Sequence, residues 1–130
     1  MTPASLDRAD VERLAAISAR AADDKQAADV VILDVGDVLG ICDLFVIASA
    51  SNERQVRTVA EEAEHQVKQA GGPGPLRVEG LAEARWVLLD WGGFVMHVFH
   101  TEARKHYDLE RLWRDVPRLE WAPEASHHAN

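Results

Sequence analysis

Cysteine is almost missing from this chain. Cys42 is the single one in 130 residues, so no intramolecular disulfide can form, which fits a reducing compartment. No stretch approaches the roughly 20 apolar residues that a membrane helix needs. The opening MTPASLDRAD is polar and charged, without an apolar signal region. These features lead us to expect a cytoplasmic protein with no membrane partner. Basic residues are also outnumbered: 14 Lys and Arg against 22 Asp and Glu give a net charge of −8. Such a surface repels phosphate backbones, which makes free nucleic acid a poor partner and a basic protein surface a good one.

The usual signatures of chemistry are missing too. Ser49, Ser51 and Cys42 stand in no Gly-x-Ser-x-Gly elbow. Gly71 to Pro75 holds two prolines and follows a helix, whereas a phosphate-cradling loop precedes one and offers free N–H groups. His97 and His100 are an odd number apart on a strand and point to opposite faces. His65 lies on a helix, and His106 is expected in a loop. Asp34 and Asp37 are oddly spaced around a turn, and His127 and His128 have no preformed geometry. The expectation is a protein that is not an enzyme, with no catalytic residues, metal, cofactor or small-molecule substrate. It should act by binding another macromolecule.

With 47% hydrophobic residues, the chain has material for one real core, and its length suits one domain. A helix is expected from about Ser5 to Ala28, with Val11, Leu14, Ala15, Ser18, Ala21 and Ala22 at spacings of three and four, capped by Ser5 or Thr2. Val30–Val35 and Asp43–Ser49 read as an antiparallel strand pair. The second is apolar almost throughout and belongs mid-sheet. Asn52, with Gln55 three residues on, opens a second helix whose stripe is Val56, Val59, Ala60, Ala63, Val67 and Ala70. Leu76–Glu79, Trp86–Trp91 and Phe94–Phe99 complete a mixed α/β sheet of about five strands with helices packed on it. Asp108 should cap a short last helix carrying Leu109, Leu112 and Trp113. Residues 1–116 form a single α/β domain in this reading, and 117–130 a flexible C-terminal tail.

Gly92-Gly93 signals a two-residue hairpin, which sets Trp91 opposite Phe94, Asp90 opposite Val95, Leu88 opposite His97 and Trp86 opposite Phe99. One side then collects Val87, Leu89, Trp91, Phe94, Met96 and Val98, a face without a polar group. The other collects Trp86, Leu88, Asp90, Val95, His97 and Phe99. Left open, this mixed side has the anatomy of an interface hot spot. Covered by a helix, it is ordinary core in which Asp90 and His97 satisfy each other across the pair.

Several strings resemble the ribosomal silencing factor family, also called Iojap-like. They are Asp43-Leu-Phe-Val-Ile-Ala-Ser49 with Asn52-Glu-Arg-Gln-Val56, Val78-Glu-Gly80, Trp86-Val-Leu-Leu-Asp90, Met96-His-Val-Phe99, and Arg104 with Tyr107-Asp-Leu-Glu-Arg-Leu-Trp113. The resemblance covers about Leu6 to Asp115, and the order and spacing of the strings carry it. It implies a translational repressor that binds the large ribosomal subunit through large-subunit ribosomal protein fourteen and blocks association with the small subunit. It also implies a nucleotidyltransferase-like fold and a homodimer off the ribosome. Ala48-Ser-Ala-Ser51 stands where a nucleotidyltransferase has its Gly-Ser turn, without the paired acids that hold metal and nucleotide. Gly92-Gly93-Phe94 replaces a more usual Gly-Asp-Val, which alters charge at the hairpin tip. The expected partner-binding residues are Trp86, Asp90, His97, Arg104, Tyr107 and Trp113. Tyr107 and Trp113 have a second reading as anchors of the last helix. Two other functions compete with the first: a catalytically degenerate nucleotide binder, and a homo-oligomeric interaction module using the same aromatic face.

Overall fold

The computed structural model describes residues 6–40, 42–108, 111 and 114–121. Helix α1 (Arg8–Asp24) starts where Asp7, in extended backbone, accepts from the N–H of Asp10. That is the N-cap role, so the cap is Asp7; Ser5 and Thr2 lie outside the described residues. The helix also stops short of Ala28. Lys25 closes it, Gln26 turns to φ +67°, and Ala28 already belongs to β1 (Ala28–Asp34).

A single helical turn, α2 (Gly36–Leu39), joins β1 to β2 (Leu44–Ala50) and ends on Gly40 at φ +71°. Helix α3 (Glu53–Gln69) is capped as the sequence suggests, with Asn52 Oδ1 accepting from the Gln55 N–H at 2.8 Å. Then come β3 (Arg77–Glu79), β4 (Trp86–Asp90) and β5 (Phe94–His100). Helix α4 (Thr101–Tyr107) follows without a gap, capped by the His100 side chain. Last is β6 (Arg118–Leu119).

The sheet has six strands in the order β3-β4-β5-β2-β1-β6, and β2 pairs with β5 in parallel while every other pair is antiparallel. The sixth strand corrects the sequence reading. β6 is two residues long, too short for a periodic signal, and forms because β1 offers an open edge. Trp121 fastens it, donating its indole N–H to the Val30 carbonyl at 3.0 Å. The domain therefore reaches past residue 116 to Trp121, and the rest of the expected tail lies outside the described residues.

A helix that the sequence reading did not separate, α4, precedes the expected last one. Asp108 sits at φ +45° as the C-cap of α4, and its carbonyl accepts from the N–H of Arg111, which is itself helical, so Asp108 stands between α4 and the next helical turn. The expected Leu109, Leu112 and Trp113 are outside the described residues. His106, expected in a loop, is in the last turn of α4.

Helices α1 and α3 lie together on one side of the sheet, and their stripes of Leu14, Ala15, Val59, Ala60 and Ala63 are sealed against it. Strand alternation sends Leu44, Val46 and Ala48 of β2 and Phe94, Met96 and Val98 of β5 into that core, all fully buried. The opposite parity forms a smaller cluster of Leu33, Ile47, Phe99 and Ala103, with Val31, Phe45, Trp86 and Val95 only partly buried around it. Among the described helices, α4 packs on this second face, over the C-terminal ends of β5 and β2.

Candidate functional site

The hairpin register is the one the two-residue turn demands: Asp90 opposite Val95, Leu88 opposite His97 and Trp86 opposite Phe99. Trp91 and Phe94 close it, N–H to carbonyl at 3.0 Å. Val87, Leu89, Trp91, Phe94, Met96 and Val98 are buried, as a face without polar groups should be. The mixed face is neither bare nor covered throughout. Phe99 and His97 are buried, whereas Trp86, Leu88, Asp90 and Val95 are half-buried.

Aromatic rings organise the α4 end of this face. The Trp86 ring stacks on Phe99 at 4.9 Å between centroids and lies against Tyr107 at 4.8 Å. Tyr107 is 49% exposed, so its ring extends the buried stack to the surface. Beside the pair opens a concavity of about 680 Å³, lined by Glu83, Arg85 and Glu102 together with Trp86, His106 and Tyr107. One side is therefore aromatic and the rim carries two carboxylates, a combination that suits a cationic or amphipathic side chain.

His97 and Asp90 do not satisfy each other. Trp86 donates its indole N–H to His97 Nδ1 at 3.0 Å, so the bond runs from strand to strand at the aromatic end. Asp90 accepts from the Gly92 N–H at 2.8 Å and from Arg77 at 3.4 Å, and so braces the hairpin turn and the edge strand. The imidazole is 5% exposed, and burial pushes its pKa down to about 4. At neutral pH it is therefore uncharged, and with Nδ1 accepting, the proton is on Nε2. Sequence reasoning paired His97 with Asp90, one of its two diagonal neighbours, whereas the longer Trp86 side chain on the other diagonal makes the bond.

Arg104 belongs to a different place. It is 8% exposed and donates to the Asp29 carbonyl at 2.7 Å and to Ser49 Oγ at 2.8 Å. Its guanidinium ties α4 to β2 and to the bulge of β1, where Asp29 takes φ +52°. It shapes the surface from inside and offers little of itself to a partner. Trp113 lies outside the described residues. Of the six expected site residues, Trp86, His97 and Tyr107 come together, Asp90 sits at the far end of the hairpin and Arg104 under the helix.

Cys42 is buried, and desolvation with the nearby carboxylates of Asp90 and Asp43 pushes its thiol up to about 11. A thiol held protonated is a poor nucleophile. Asp34 is bonded to Arg8 at 2.9 Å and held below the usual carboxylate range by it. Among the described residues, no three His, Cys, Asp or Glu side chains gather as metal ligands. Nor is any helix long and apolar enough to cross a membrane.

Comparison with known proteins adds an independent line. The family model "Ribosomal silencing factor during starvation" matches residues 8–130. A ribosomal silencing factor of Halalkalibacterium halodurans is 41% identical over 109 residues, covering 84% of this chain and 92% of that relative. One from Bacillus subtilis is 42% identical over 101 residues, covering 78% and 85%. A crystal structure of a protein from Chromobacterium violaceum superposes with a TM-score of 0.76 at 26% identity, covering 92% of this chain and 98% of that one. On the family match and these identities, the chain belongs to the ribosomal silencing factor family.

Proposed function

We propose that this protein represses translation by binding the large ribosomal subunit through large-subunit ribosomal protein fourteen, where it blocks association with the small subunit. It acts in the cytoplasm as a binding protein and catalyses no reaction. The observation that carries the reading is the half-open Trp86–Tyr107 surface on the second sheet face of a member of this family. Trp86 and Tyr107 supply desolvated area with a polar handle, the chemistry that dominates interface hot spots. Glu83 and Glu102 outnumber Arg85 around the concavity, and the net charge of −8 steers the protein toward a basic ribosomal protein. His97 and Arg104 act from beneath by holding Trp86 and α4 in position.

The test is co-sedimentation with purified large and small subunits over a salt series. We expect pelleting with large subunits, weaker binding as salt rises, and fewer joined ribosomes when both subunits are present. Equal pelleting with small subunits, or unchanged association, rules the reading out.

A further inference from the structure

On the same sheet face, toward the hairpin end, lies a second pocket of about 330 Å³, within the range that encloses a small molecule. Phe45, Leu88 and Val95 form its apolar walls, Cys42 adds a neutral thiol, and His97 contributes its imidazole. Leu76, 73% exposed, stands at the rim.

The polar groups are unevenly provided for. Asp90 already accepts from Gly92 and Arg77, and Arg77 also pairs with Glu79 at 3.1 Å. The rim charges are thus engaged with each other. Nε2 of His97 is buried and has no hydrogen-bond partner among the described residues. Because Nδ1 accepts from Trp86, Nε2 carries the proton and is a donor without an acceptor among the described residues. A buried donor left unmet costs about 1–3 kcal/mol, so a group that could supply an acceptor there gains what the fold forgoes.

We propose that this pocket is a ligand site for a small, uncharged, apolar molecule carrying one hydrogen-bond acceptor, such as a ketone or amide carbonyl, which receives the Nε2–H of His97. The engaged rim disfavours an ionic ligand, and the apolar walls disfavour a polyol. His97 lines the pocket while its Nε2 is buried, so contact requires a lining side chain to turn aside. Phe45, edge-on to the imidazole at 4.6 Å between centroids, lines both groups. The proposal does not depend on ribosome binding.

The experiment titrates cyclohexanone, and methylenecyclohexane as its hydrocarbon twin, into the full-length protein with 15N-labelled histidine. We expect cyclohexanone to move the His97 Nε2–H resonance and to bind about fivefold more tightly than the hydrocarbon, the worth of one net hydrogen bond of about 1 kcal/mol. His97→Phe should make the two probes bind alike. Leu88→Trp, at the lining position paired with His97 across the hairpin, fills the pocket without replacing the donor and should abolish both. Equal binding of the two probes to the wild-type protein, or a His97 resonance that stays still up to the solubility limit of the ketone, overturns the proposal.

Discussion

The two faces of the sheet are built from the same strands and differ in composition and in how far they are covered. Under α1 and α3, every side chain from β4 and β5 is apolar and buried, from Val87 to Val98. On the opposite face, neighbours on those same strands include an imidazole, a carboxylate and an indole, and burial there is partial. The first face gains stability by excluding everything polar. The second holds polar groups in fixed positions through bonds such as Trp86–His97 and Asp90–Gly92, and leaves His97 Nε2 without a hydrogen-bond partner among the described residues. Under the proposed function the second face must stay partly open, because full coverage would remove the area it offers a partner.

The contrast can be broken most forcefully at Phe94. It is fully buried on the closed face, so Phe94→Ala should cost about 3–5 kcal/mol. At about 3–6 °C per kcal/mol for a domain of this size, thermal unfolding should come more than about 10 °C earlier. A shift of only a few degrees would mean that the closed face is not the seat of stability.

Adjacent residues on β4 sharpen it. Trp86 and Val87 point to opposite faces. Trp86→Ala should weaken large-subunit binding by about 2 kcal/mol or more, beyond any loss of folded protein, as a central hot-spot truncation does. Val87→Ala should lower the unfolding midpoint and leave binding per folded molecule unchanged. If both variants lose binding only in proportion to unfolding, the second face is ordinary core.

Acid separates the faces next, since the buried His97 belongs to the second one. Its folded pKa of about 4 lies below the ordinary 6.5. Above the ordinary value both folded and unfolded forms are neutral, and stability is whole. As pH falls toward about 4, the unfolded chain takes up the proton first, so stability drops, and the loss is complete once the folded form is protonated too. The unfolding free energy from urea titration should fall by about 2 kcal/mol between pH 7 and pH 5 from this group alone. His97→Phe should flatten that dependence, and an unflattened curve would assign it elsewhere.

The smallest effect belongs to neither face. Arg8 bonds Glu12 and Asp34 at the surface with its side chain 44% exposed. Arg8→Gln should change stability by under about 1 kcal/mol, and still less at high salt. A larger change would mean that the pair is coupled to β1 and thus to the sheet.

Much of this was legible in the residues. The continuous apolar run of β2 announced a central strand, Asn52 with Gln55 announced the start of α3, and Gly92-Gly93 fixed which residues share a face. What could not be read was local in length or remote in partner. β6 is two residues long and exists only because β1 has an edge to offer. Helix α4 begins directly at the end of β5 under the cap of His100, so no loop residues mark the boundary. The role of Arg104 depends on Asp29 and Ser49, residues 75 and 55 positions away.

The sequence by itself determined the closed face, the hairpin register, the aromatic content of the opposite face and the family, because each follows from periodicity, turn chemistry or ordered motifs along the chain. Only the tertiary structure decided which polar atoms meet. Asp90 turned to the hairpin backbone and Arg77, His97 to Trp86, and Arg104 inward to the β1 bulge. Alternation says which face a side chain leaves from. Its partner depends on side-chain length, rotamer and the placement of strands distant in sequence, and these are settled only when the sheet and its helices pack.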